Sequence, residues 1–124
     1  MLAKHLAPRI THGGSLTLFS GVAATRIAVG TLAVAITNGA ADILARSLAL
    51  ELAPIRVNAV SPGVIDTGAW DAFGEQGKAD YFADIAARNP ARRIGTVADG
   101  VLFAMTNTFL TGVTLHIDGG EPLI

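Results

Sequence analysis

Residues 49–67 read ALELAPIRVNAVSPGVIDT, and this stretch predicts how the chain folds. Pro54 ends a helix, because its ring clashes with the preceding turn and it has no amide proton. Residues 55–60 are mostly apolar and rich in β-branched side chains, which is typical of a buried strand. Pro62 and Gly63 then break the strand and expose backbone at its carboxyl end. Ligands of open parallel α/β sheets bind at that edge.

Two more strands and a long helix flank this segment. Residues 15–20 (SLTLFS) and 113–117 (VTLHI) have the composition of strands, and residues 31–52 predict a single long helix. Strands separated by helices form parallel sheets with right-handed crossovers. The sequence therefore predicts an α/β fold with three parallel strands and crossover helices.

Composition limits the classes of partner. Nine Lys and Arg against ten Asp and Glu give a net charge of −1, so no basic surface is expected for nucleic acid. The chain has no cysteine, and its three histidines lack metal-ligand spacing, so no metal site is expected. No signal peptide is recognised, and we expect a cytoplasmic protein.

The helix predicted over residues 31–52 carries apolar residues on more than one stripe, whereas a surface helix shows one. A hydrophobic fraction of 51% and a mean hydropathy of +0.50 are high for so short a soluble chain. We therefore expect a homo-oligomer in which this helix packs on the sheet and on a second subunit. The longest uncharged run, residues 27–41, is shorter than the roughly 20 residues of a membrane-spanning helix, so no membrane partner is expected.

The segment 49–67 resembles the second half of a short-chain dehydrogenase/reductase. This segment matches the family pattern x-E-L-A-P, followed by I-R-V-N-x-V-x-P-G and by a Thr four residues later, which is Thr67. Residues 111–120 match the usual ending of the family, TG-x-x-L-x-x-DGG. The resemblance covers essentially all of the chain. It implies a single partial domain over residues 1–124, the C-terminal half of a Rossmann-like doubly wound fold. The Gly-rich pyrophosphate loop of the family is not in this sequence.

The resemblance also implies a function, the NAD(P)-dependent oxidoreduction of a small-molecule carbonyl or alcohol. The cofactor would be NAD or NADP. Thr67 is expected at the nicotinamide or, alternatively, as the N-cap of the next helix. Asn38 is expected either to bind a ribose hydroxyl or to be a buried structural amide. By resemblance the predicted cofactor-binding residues are Asn38, Pro62, Gly63, Val64, Ile65 and Thr67.

The catalytic pair of the family is not matched. The family uses Tyr-x-x-x-Lys on the long helix and a Ser on the preceding strand to pass a proton. Counting back from residues 49–52, the Tyr position falls on Val34 and the Lys position on Asn38. Ser20 is the predicted catalytic serine, with its neighbour Gly21 the other residue at that place.

Three functional readings stay open. The protein is a reductase-like enzyme, a degenerate member that senses nucleotide or oligomerises, or an inactive truncated fragment. Residues 68–93 are expected to form a lid of one or two short helices. Its aromatic residues either line a substrate pocket or form their own small core, and Tyr81 is a candidate substitute proton donor.

Overall fold

The computed structural model describes residues 2–124, which form one parallel sheet with helices packed on it. Four short 3-10 helices lie at Ala7–Arg9, Val22–Ala24, Gly68–Phe73 and Glu121–Leu123. The main elements, in chain order, are α1 (Leu2–Leu6), β1 (Ser15–Phe19), α2 (Leu32–Glu51), β2 (Arg56–Pro62), α3 (Gly74–Arg88), α4 (Ala98–Thr106) and β3 (Thr114–Ile117).

The three predicted strands are confirmed as parallel neighbours in the order β1-β2-β3. Strand β2 is central, with Leu16 opposite Val57 on one side and Leu115 opposite Val60 on the other. A central strand covered on both faces is typically rich in apolar residues that do not alternate with polar ones. The apolar residues of β2 accordingly have no exposed surface, at Val57, Ala59 and Val60.

Helix α2 confirms the prediction of one long helix and packs on the sheet. Ala45 and Leu48 are its fully buried residues and belong to the core cluster that also contains Val57. The small Ala45 lets the helix axis approach the strands closely. This packing places the first half of α2 beside the carboxyl ends of β1 and β2.

Strand β2 runs two residues beyond its predicted end, because Pro62 still pairs with Ile117. Alternate residues of a strand direct their amides to opposite neighbours. Gly63 donates its N–H to the Ile117 carbonyl of β3 at 3.0 Å. The nitrogen of Pro62, which has no hydrogen to donate, therefore points to the other side, where β1 has already ended at Phe19. The proline therefore ends the ladder without losing a bond to β3.

The segment predicted as a lid is more helical than expected. It holds the 3-10 helix Gly68–Phe73 and then α3, which is 15 residues long rather than short. Residues 96–99 (TVAD) predict a capping box that starts a helix, and that helix, α4, begins at Ala98. Val97 occupies its N-cap without a side-chain hydrogen bond, so the predicted capping box is wrong.

The face of α2 opposite the core is apolar and uncovered. Its four exposed large apolar side chains lie on one stripe, spaced by four and then seven residues along the helix. By length and composition alone, α2 could also cross a membrane, a property shared by core helices of soluble proteins. The stripe consists of Leu32, Ile36, Ile43 and Leu50.

Candidate functional site

A cleft of about 360 Å³ opens at the carboxyl ends of β1 and β2. Helix α2 contributes Val34 and Asn38 to its wall, one helical turn apart and therefore on the same face. The last residue of β2 and the turn after it contribute residues 62–64, and α3 contributes Tyr81. The structure thus brings together Asn38, Pro62, Gly63 and Val64, four of the predicted cofactor-binding residues.

Gly21 leaves the space that Asn38 occupies. A Cβ atom at residue 21 would lie 2.6 Å from Nδ2 of Asn38, well inside van der Waals contact. The φ of Gly21 is 179°, an extended conformation open to any residue, so the contact and not the backbone requires glycine here. The absence of a side chain at residue 21 therefore makes room for the side-chain amide of Asn38.

Ser20 lies beside this cleft, and its hydroxyl bonds to the helix. Its Oγ donates to the backbone carbonyl of Asn38 at 3.1 Å, and Gly21 rather than Ser20 contributes to the cleft wall. This bond links the end of β1 to α2. The assignment of Ser20 as the catalytic serine stays a prediction.

The turn after β2 is held by backbone bonds and one buried carboxylate. The Val64 N–H donates to Oε1 of Glu121 at 3.2 Å, and the side chain of Glu121 is almost fully buried. The close approach of Gly63 to Asp118 fixes the same turn against the end of β3. The cleft wall formed by residues 62–64 is therefore rigidly positioned.

Ile65 and Thr67, the other two predicted cofactor-binding residues, line a neighbouring cleft of about 660 Å³. Ile65 pairs with Gly95 in a parallel bridge. Thr67 accepts a hydrogen bond from the Ala69 N–H at 3.4 Å, so it is the N-cap of the 3-10 helix that follows. Their contact with a cofactor stays a prediction. Apolar side chains dominate this second cleft, among them Phe19, Val101, Leu102 and Met105.

Three polar side chains that sequence reasoning did not combine converge on the first cleft: Arg26, Tyr81 and Glu121. They lie more than 30 residues apart, so no local pattern joins them. Burial and the Glu121 carboxylate raise the pKa of Tyr81 above its ordinary value, and nearby arginines oppose this shift. The phenol therefore stays protonated at neutral pH. Within residues 2–124 no cluster of metal-ligating side chains occurs.

A family model described as enoyl-(acyl carrier protein) reductase matches residues 1–121. A short-chain dehydrogenase/reductase of Acremonium sp. is 35% identical over 98% of this chain and 48% of its own length. The chain belongs to the short-chain dehydrogenase/reductase family. The predicted family and the predicted partial Rossmann-like fold are both confirmed.

Two solved structures are similar to this short-chain dehydrogenase/reductase chain over nearly all of its length. A small-chain dehydrogenase in complex with NADPH has a TM-score of 0.94 and 35% identity, over 98% of this chain and 57% of the other. The second is an NADPH-bound short chain oxidoreductase of Pseudomonas aeruginosa PAO1, described as containing an atypical catalytic center. It has a TM-score of 0.78 and 25% identity, over 94% of this chain and 48% of the other. The chain spans about half the length of the relatives it matches.

The first cleft has a polar side chain that could hold a nicotinamide cofactor. Within residues 2–124 the side-chain amide of Asn38 makes no hydrogen bond, although it borders the cleft. An amide offers both donors and an acceptor to a ribose hydroxyl. Residues 62–64 line the same cleft, so α2 and the carboxyl end of β2 share one cavity.

Proposed function

We propose that the protein is an NAD(P)-dependent oxidoreductase of small carbonyl or alcohol compounds. The observation that carries this proposal is the shared cleft of Asn38 and residues 62–64 at the carboxyl end of the sheet. Two structural relatives solved with NADPH support a nicotinamide cofactor for this protein. Because the chain spans about half of its relatives, the protein to test is the product of the complete reading frame containing residues 1–124, here called the full-length protein.

When bound, the nicotinamide supplies the hydride. Asn38 would orient the ribose through its amide, and residues 62–64 would hold the nicotinamide ring against the sheet edge. Val34 has no proton to give, and Asn38 has no charge to stabilise a phenolate. This cleft therefore binds the cofactor as in the family but must deliver the proton by another route.

A second candidate function is nucleotide binding without turnover. It is favoured by Val34 and Asn38, which occupy the places of the tyrosine and lysine. Losing a positioned general acid costs about 10² to 10⁴ in rate. A protein with this cleft could therefore retain the nucleotide and lose measurable reduction.

Calorimetry and turnover on the full-length protein separate these functions. We expect binding of NADPH or NADH, and oxidation of the bound cofactor in the presence of ethyl acetoacetate, diacetyl or cyclohexanone. Binding without turnover of any of these carbonyl compounds would support the second candidate. Failure to bind either nucleotide would contradict both.

Restoring the family pair should raise turnover. We expect Val34→Tyr with Asn38→Lys to increase the rate of carbonyl reduction by at least about tenfold, because a positioned acid and a nearby cation are supplied together. The matched control is Val34→Phe with Asn38→Lys, which adds the same ring without the hydroxyl. Equal rates for the two double variants would contradict the assignment of this cleft.

We further propose that the full-length protein forms a homo-oligomer through α2. The stripe of Leu32, Ile36, Ile43 and Leu50 is exposed over more than half of each side chain, and it lies opposite the buried Ala45 and Leu48. Surfaces of this kind mark interaction sites. A second copy is the partner that this stripe suits, because a twofold contact pairs it with itself.

Light scattering tests the oligomer. We expect Ile43→Asp to reduce the mass of the wild-type oligomer toward that of one subunit, since it places a carboxylate in the apolar stripe. Thr37→Asp, at an exposed position on another face of the same helix, should leave the mass unchanged. A monomeric wild-type protein would contradict the proposal.

A further inference from the structure

Tyr81 reaches the same cleft as the two positions where the family pair is missing. Tyr81 and Ile85 are one helical turn apart on α3, and both contribute to the cleft wall that includes Val34 and Asn38. Ile85 is buried and Tyr81 is half-buried, so this face of α3 is the one turned inward. The one tyrosine of the chain therefore lies at the cleft rather than on the outer surface.

The ring of Tyr81 is fixed by neighbouring aromatic residues. Its centroid lies 5.0 Å from the Trp70 ring and 5.9 Å from Phe73. Trp70 is itself anchored, because its Nε1–H donates to the Ile65 carbonyl at 2.9 Å. Lys78, one turn before Tyr81, binds Asp66 at 2.6 Å and so ties α3 to the turn after β2. The direction of the phenol is therefore set by packing.

The hydroxyl of Tyr81 has no role in this packing. Throughout residues 2–124 it makes no hydrogen bond, and the aromatic contacts involve only the ring. A tyrosine O–H usually finds a hydrogen-bond partner when it is buried. A fixed phenol with an unused O–H at the edge of a cleft is available to a ligand.

We propose that Tyr81 is the proton donor of this cleft, replacing the phenol that Val34 cannot supply. The inference rests on the proposed reductase function. The carbonyl carbon of the substrate gains hydride from the reduced nicotinamide, and the electron pair of the C=O π bond moves to oxygen. That oxygen takes the proton of the Tyr81 O–H, and the resulting phenolate takes a proton from water. The substrate is reduced and the nicotinamide is oxidised.

The charges around Tyr81 suit an acid more than a base. Burial and the Glu121 carboxylate are the largest causes that raise the pKa of Tyr81. Arg88 and Arg26 lower this pKa and Asp84 raises it, and the net effect is an increase. A protonated phenol is the form that reduction requires, and it is lost only as pH rises through this increased pKa. We expect carbonyl reduction to be independent of Tyr81 ionisation from about pH 6 to 9, while alcohol oxidation, which needs the phenolate, should rise with pH.

Tyr81→Phe in the full-length protein tests the proposal, since it keeps the ring and removes only the hydroxyl. We expect NADPH affinity to stay within about threefold and reduction of ethyl acetoacetate, diacetyl or cyclohexanone to fall by about 10² or more. The control is Phe82→Leu, which alters the adjacent ring of the same cluster. It should lower stability and keep the rate within about threefold.

A second readout does not depend on turnover. Tetranitromethane should nitrate Tyr81 in the nucleotide-bound protein, as mapped by peptide mass spectrometry, and the carbonyl compound that turns over best should slow this nitration several-fold. Unchanged nitration, or a Tyr81→Phe rate within threefold of wild type, would overturn the inference and leave the reductase proposal standing. Nucleotide binding without wild-type turnover would overturn the inference and favour the second candidate function. Failure to bind nucleotide would overturn the proposed function itself.

Discussion

Arg56→Met is expected to lower the free energy of unfolding by about 3–5 kcal/mol. The Arg56 guanidinium is buried, and Nη1 donates to the carbonyls of Ala104 at 2.9 Å and Leu110 at 3.2 Å. Nη2 donates to the Met105 carbonyl at 2.7 Å. The last carbonyls of a helix have no partner within the helix. Methionine keeps the volume of the stem but removes the side-chain donor of the Ala104 and Met105 carbonyls, while the Leu110 carbonyl keeps a bond from Nδ2 of Asn58 at 3.0 Å.

Urea unfolding of the full-length protein measures this loss. Arg56→Lys keeps the charge but not the planar fork that reaches several carbonyls, so it should lose less than the methionine variant. The matched control is Arg88→Met, the same substitution at an exposed ion pair with Asp84, which should cost no more than about 1 kcal/mol. An equal effect at residues 56 and 88 would contradict a special role for the buried guanidinium.

The fold could be predicted because its signals are local. Pro54 marks the end of α2, and the β-branched segment after it marks the central strand. The predicted end of β2 is wrong by two residues, since Pro62 predicts a break but is still paired with β3. The length of β2 depends on where its neighbours β1 and β3 end. Residues 55–63 alone do not contain that information.

The candidate site was predicted in part. Val34 and Asn38 were located by counting from a motif, and both reach the cleft because helical geometry preserves spacing. The contact between Gly21 and Asn38 depends on the distance between two elements, which packing sets. The approach of Tyr81 to the same cleft depends on how α3 folds back over the sheet edge, and no spacing in the sequence encodes it.

Gly63→Ala is expected to destabilise the protein by about 1–3 kcal/mol, the cost of overpacking a close contact. A Cβ atom at residue 63 would lie 2.8 Å from both Cα and O of Asp118. These are backbone atoms at the end of β3, where Ile117 is bonded to the Gly63 N–H, so they cannot move aside independently. Because Gly63 also lines the cleft, we expect weaker NADPH binding as well.

Gly77→Ala adds the same methyl group as Gly63→Ala, but it is expected to increase stability rather than decrease it. Gly77 lies within α3, and a Cβ there would be 3.4 Å from the Phe73 Cβ, an ordinary contact. Alanine in a helix interior is favoured over glycine by about 0.5–1 kcal/mol, so this variant should gain stability and bind NADPH unchanged. Parallel urea unfolding and calorimetry of the two variants isolate the contact with Asp118, because the chemistry of the substitution is identical. A Gly63→Ala protein as stable as wild type would show that the turn after β2 does not need its close approach to β3, and the rigid wall of the cleft would lose its structural basis.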